Sequence, residues 1–148
     1  MWENIESIQD AFNAFDGQNA RYVEWVNERN ESERIAAQRA WQSFKAITFK
    51  GMRQEFVNNV ASRNGRAVDM EGSENSIGLT LYALSGLAVA SGITLAFNFH
   101  PKHLTITPYI YYKGDLDQGM PTDPEQDTRA LAVLWFGHFL KKFFERAR

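Results

Sequence analysis

The chain has 148 residues, 44% of them hydrophobic, which is one domain's worth of chain with enough apolar side chains for a sizeable core. Its formal charge of −2 gives no general attraction to nucleic acid or anionic membrane, and the absence of cysteine excludes disulfides, thiol nucleophiles and cysteine-held metals. The opening Met1-Trp2-Glu3-Asn4-Ile5-Glu6 has no basic start followed by an apolar run, so no signal peptide is read there and a cytoplasmic location is expected.

Ile5, Ile8, Phe12 and Phe15 follow one helical face, and the series continues through Asn19, Tyr22 and Val26. The spacing predicts helix from about Trp2 to Arg29, with Asp16-Gly17 as an alternative break. Asn30, with Glu33 three residues on, reads as the N-cap of a second helix ending at Asn64-Gly65. Phe44, Thr48, Met52, Phe56 and Val60 form its i+4 row, extended by Ala37 and Trp41, and a kink is expected near residues 47–51. Residues 1–33 hold eight acids and two bases, whereas residues 34–66 hold seven bases and one acid. That contrast predicts an antiparallel helical hairpin with complementary edges. The competing reading, phosphate contact by Arg39, Lys50 and Arg53, has three bases and no interleaved aromatic to support it.

From Asn75 to Pro101 there is no Asp, Glu, Lys or Arg. Bulky Leu87, Val89, Ile93, Leu95, Phe97 and Phe99 alternate with small Ala88, Ala90, Gly92, Thr94 and Ala96, the period of a strand with two unlike faces. The stretch is long enough to cross a bilayer, but a period of two and the hairpin pair Ser85-Gly86 argue for sheet instead of a membrane helix. A two-residue Ser85-Gly86 loop would set Leu84 against Leu87, Tyr82 against Val89 and Leu81 against Ala90. A four-residue loop at His100–His103 would set Phe99 against Leu104, Phe97 against Ile106 and Ile93 against Ile110. The expected core face then holds Tyr82, Leu84, Leu87, Val89, Ile93 and their neighbours, and the mixed second face holds Ile77, Leu79, Leu81, Thr94, Thr107, Tyr109 and Tyr111. Pro108 marks the third strand as an edge, and Arg66–Met70 offers a fourth.

The chain closes with a helix, capped at Thr122 or Asp123 with Pro124 in its first turn. Leu131, Leu134, Trp135, Phe136 and Phe139 are too many for one stripe, so it is expected to be buried on more than one side. The sum is a single α+β domain: residues 1–64 helical, 66–112 a three- to four-stranded antiparallel meander, and 123–147 a buried C-terminal helix packed on the sheet.

Chemistry-bearing motifs are sparse. His100 and His103 bracket a turn without a carboxylate at ligand spacing, and Asp115 and Asp117 lack the closing Glu of a calcium loop. Arg63-Asn64-Gly65-Arg66 is explained by helix capping. No Gly-rich phosphate loop follows a strand and no Gly-x-Ser-x-Gly elbow occurs, so neither a cofactor nor a metal is expected and catalysis ranks last. The leading expectation is a protein-interaction module whose partner is another protein or a second copy, with nucleic acid and membrane set aside. Its contact residues are Tyr109, Tyr111, Thr94 and Thr107 on the second face, with Asp115 and Asp117 in the polar, Gly-containing linker Lys113–Thr122. The alternative is a small-molecule cavity between sheet and C-terminal helix, lined by Tyr82, Trp135, Phe139 and His138.

Overall fold

The computed structural model describes residues 2–148, the side chain of Arg29 excepted. The fold is α+β, with a long N-terminal helical region, an antiparallel sheet and a C-terminal helix. By its contacts the chain divides into two compact units, Met1–Ala36 and Ala37–Arg148.

Helix α1 spans Ile8–Ser43. Its start is capped reciprocally: Asp10 N–H donates to Ser7 Oγ at 3.1 Å, and Glu6 N–H donates to Asp10 Oδ2 at 3.1 Å. In the first unit Trp2 Nε1 donates to Gln18 Oε1 at 2.8 Å, and Ala14 is buried. Neither Gly17 nor Asn30 interrupts the helix. The expected cap at Asn30 and the hairpin built on it are therefore corrected: the acidic and basic blocks follow one another along continuous helix. A cap residue needs a chain that enters from outside helical geometry, and here the flanking residues are ordinary helix formers that carry the helix through.

The second unit builds its core on one side of the sheet. After α1 come six residues of π-helix, Phe44–Phe49, and then α2, Lys50–Ser62. Hydrogen bonds from i to i+5 widen the turn, which brings Phe44 and Phe49 to the same side; both are buried in the core. The expected i+4 row through Thr48 is thus shifted in phase, with Phe49 taking the core position. Phe56 and Val60 carry the row on through α2.

The sheet has five strands, more than the three or four expected, ordered β1 (Arg66–Asp69), β2 (Ser76–Leu84), β3 (Leu87–His100), β4 (Thr105–Tyr112) and β5 (Asp115–Gln118). Ser85 and Gly86 form the β2–β3 turn with φ of 52° and 80°, and Leu84 faces Leu87 as expected. Beyond Ala83↔Ala88 the register departs from expectation. Tyr82 alone stands opposite Val89–Gly92, a bulge, and the next pair is Leu81↔Ile93 rather than Leu81↔Ala90. Consequently Ile77, Leu79 and Leu81 face Phe97, Leu95 and Ile93 in the core, and Tyr82 lies on the other side, over Gly92. The shift matches apolar with apolar on one face and leaves Thr80 opposite Thr94 on the other.

Between β3 and β4 the loop runs from Pro101 to Leu104, with Leu104 at φ 56°, so that His100 faces Thr105 and Phe99 faces Ile106. Phe97 faces Pro108, and Leu95 faces Ile110. This slip of two keeps every side chain on its expected face. Strand β4 is not an edge: β5 pairs with it, the Pro108 carbonyl accepts from Gly119 N–H at 2.9 Å, and Ile106 and Thr122 exchange two backbone hydrogen bonds of 2.8 Å. The linker expected at Lys113–Thr122 therefore contains strand β5 and an isolated bridge at Thr122. Helix α3 spans Thr128–Arg146, and its cap is Asp127, whose Oδ1 accepts from Ala130 N–H at 3.1 Å. Thr122 pairs with β4 and Asp123 holds a local turn through Glu125 N–H, so neither is the cap. No helix of the described chain is long and apolar enough to cross a membrane.

Candidate functional site

All helical residues of the core cluster, from Ala37 to Phe143, pack on one side of the sheet with Leu79, Leu95, Phe97 and Ile106. The opposite face carries one row across all five strands: Val68, Thr80, Thr94, Tyr111, Leu116. A second row runs Gly78, Ala96, Tyr109, Gln118, and a third Ser76, Asn98, Thr107. None of these residues is charged.

Tyr109 and Tyr111 stack with ring centroids 5.8 Å apart and planes 16° from parallel. They rise over small residues, since Tyr109 faces Ala96 and Ala96 faces Gly78. Tyr109 Oη lies 3.3 Å from His100 Nε2, and Thr80 Oγ1 lies 2.8 Å from Thr94 Oγ1. Burial, and then the neighbouring Tyr109, hold the Tyr111 hydroxyl above its ordinary pKa, against the lowering effect of its hydrogen bond with Asn98. It is therefore a neutral donor at physiological pH. Tyr111 is 38% exposed, whereas Thr107 is 1% exposed and supports the face from beneath.

The sequence-based partner residues thus fall into two groups. Tyr109, Tyr111, Thr94 and Thr107 share the three uncharged rows of the outer face. Asp115 and Asp117 pair in register with Tyr112 and Ile110, on the side turned to α3. There Arg146 Nη2 meets Asp115 Oδ2 at 2.7 Å, and Lys142 Nζ and His138 Nε2 meet Asp117 Oδ2 at 3.1 and 3.4 Å. The hydrogen bond from Lys142, ahead of burial acting the other way, holds the Asp117 carboxyl below its ordinary value. Sequence reading missed Val68, Thr80 and Leu116 in the central row. The signal for Thr80 was the Gly92 bulge, and that for Leu116 was apolar residue placement between two glycines.

The four residues expected around a ligand do not converge. Tyr82 lies on the side of the tyrosine pair, beneath Arg66, whose guanidinium carbon is 4.8 Å from its ring centroid and brings a positive charge to that side. Phe139 is fully buried against Phe56, and Trp135 sits edge-on to His138 with ring centroids 5.2 Å apart. An open cavity of about 430 Å³ instead lies between α2 and α3, lined by residues that include Met52, Phe56, Val60 and Leu140. His103 is exposed in the β3–β4 loop, and among the described residues no three His, Asp or Glu side chains gather as a metal-binding group. Of the bases weighed as phosphate contacts, Arg53 is engaged by Asp69, with Nη2 to Oδ2 at 2.8 Å. No family model, curated protein or solved structure matches the chain.

Proposed function

We propose that this chain is a protein-interaction module, of the inhibitor, immunity-type, adaptor or assembly-subunit kind, and that its contact is the set of uncharged rows around Tyr109 and Tyr111 on the sheet's outer face. The observation that carries the reading is the row Val68–Thr80–Thr94–Tyr111–Leu116, five strands wide and without a charge. The outer face of a one-sided antiparallel sheet ordinarily turns its charged residues to water. Rows without charges can be dehydrated by a partner at low cost, because no ion among them has to leave water, and Arg66, a cation on this side, sits apart over Tyr82. Stacked tyrosines suit the same task, since each offers a large apolar ring with one hydroxyl for a directed hydrogen bond.

The small-molecule alternative has less support, since Trp135 and His138 touch each other but Tyr82 lies on the other side of the sheet, beneath Arg66, and Phe139 is packed against Phe56. The test is purification of the wild-type chain and of Tyr109→Ala and Tyr111→Ala variants from the native host, with the co-eluting protein identified and its affinity measured. Truncating a central tyrosine is expected to weaken a specific partner by more than about 1 kcal/mol. Equal affinity in both variants, with folding intact, removes this face as the contact. A chain that elutes alone, with thermal stability raised strongly by one metabolite, replaces the reading with ligand binding.

A further inference from the structure

Two apolar surfaces lie outside the sheet face. On α1, Ile8, Phe12, Phe15 and Tyr22 are each more than half exposed. With Asn19 and Val26 they recur at spacings of four and three, the repeat of a helix that packs along its length against another surface. The second surface is the cavity between α2 and α3. On α3 it continues into the exposed row Val133, Gly137, Leu140, Phe144, and open space above Gly137 lets another backbone approach closely.

Charge distinguishes the occupants. Residues 1–28 carry six acids and one base. Residues 50–63 together with α3 carry seven bases and two acids; Arg53, Lys142 and Arg146 already pair with Asp69, Asp117 and Asp115, which leaves four bases against two acids. Arg63 and Glu55 both line the cavity and offset each other, whereas Arg129 and Lys141 flank the α3 row by helical spacing and carry the excess of bases along the groove's α3 side. Two acidic helices laid along each other would repel, whereas the acidic helix against this groove is attracted. Asn19, the polar position in the helix row, also has hydrogen-bonding counterparts in Asn59 and Arg63 of the groove lining.

We propose that segment 8–26 of one copy docks in the α2–α3 groove of a second copy, reciprocally, as a two-fold dimer. Reciprocity covers both exposed surfaces in both chains and closes the assembly, so no open end remains for further growth. This contact uses neither Tyr109 nor Tyr111 and stands or falls apart from the sheet-face reading.

The test is sedimentation of the full chain over a dilution series, with a helix variant, Phe12→Glu/Phe15→Glu, and a groove variant, Val133→Asp/Leu140→Asp. All four positions are exposed, and circular dichroism checks that each variant keeps its fold. The wild type is expected to dimerise, more weakly as salt rises. Each variant alone is expected to lose at least about tenfold in dimer affinity. An equimolar mixture of the two is expected to recover a heterodimer, because one intact helix then meets one intact groove. A groove variant that dimerises like wild type overturns the proposal in favour of helix–helix pairing. Failure of the mixture to associate also overturns it, as does a wild type that stays monomeric at every concentration. A Phe15→Cys/Leu140→Cys chain that crosslinks only within itself assigns the groove to its own helix and overturns the second copy. Tyr111→Ala is expected to dimerise as wild type, which keeps the two readings distinguishable.

Discussion

At the scale of single residues, two glycines share a positive φ but stand in different surroundings. Gly86, at φ 80°, lies at the tip of the β2–β3 turn with nothing within 4 Å of where a Cβ would be. Gly92, at φ 72°, lies in the bulge of β3, where a Cβ would meet Thr80 Cγ2 at 2.5 Å and the Tyr82 ring at 2.9 Å. Gly86→Ala then costs only the backbone term, about 1–2 kcal/mol. Gly92→Ala adds a steric displacement and is expected to cost about 2–4 kcal/mol in all. Urea denaturation of both variants checks this, and equal losses would refute the assigned bulge. The two glycines also differ in how far they could be read. Ser85-Gly86 announces a hairpin by local turn chemistry alone. Gly92 reads equally well as one more small residue in an alternating strand, and only the pairing with β2 distinguishes the two.

Elements formed where local chemistry and core demand agreed, and moved where they did not. The alternation in β3 predicted its strand correctly, but the helical row through Thr48 gave way to a π turn because Phe44 and Phe49, five apart, both enter the core. Phe49→Ala is accordingly expected to destabilise by about 3–5 kcal/mol. Ile47→Ala, at an exposed position in the same turn, should stay within about 0.5 kcal/mol by thermal or chemical unfolding. Strand β5 escaped sequence reading because its four residues, two of them Asp, resemble a loop until α3 supplies Lys142 and Arg146 opposite them. That attachment carries a pH signature. Asp117 has a folded pKa below its ordinary value of 3.8, so its contribution is fully present above that value and is lost as pH falls through the lowered folded value. Asp117→Asn should therefore lower stability slightly at neutral pH, by at most about 1 kcal/mol for so exposed a pair. The gap to wild type should close in acid, and a gap that widens on acidification would contradict the pairing.

For the whole molecule, the fold class was legible because it rests on long periodic stretches: a period-two run in β3 and apolar helical rows on either side of the sheet in sequence. The candidate contact face was legible only in part. Its tyrosines were placed correctly, but Asp115 and Asp117 fell on the opposite side, since a strand's facing depends on a register that distant residues determine. The division of the helical region was not legible at all, because α1 is uninterrupted while the core cluster begins only at Ala37. Continuous helix can therefore have discontinuous stability. Amides from Ala37 onward are locked behind Trp41, Phe44 and Phe49, with Trp41 Nε1 also donating to Glu74 O at 2.9 Å, and open only when the core opens. Amides of residues 10–28 belong to helix with a single buried side chain, Ala14, and such helix is marginal in water without tertiary packing. Hydrogen exchange of dilute protein is expected to be faster by roughly a hundredfold or more in residues 10–28 than in residues 38–49. Raising the protein concentration should slow exchange in residues 8–26 if a second copy covers them, and leave residues 38–49 unchanged. Uniform protection along α1 in dilute protein would show instead that its first part opens only with the core, and the two-level stability argued from burial would be wrong.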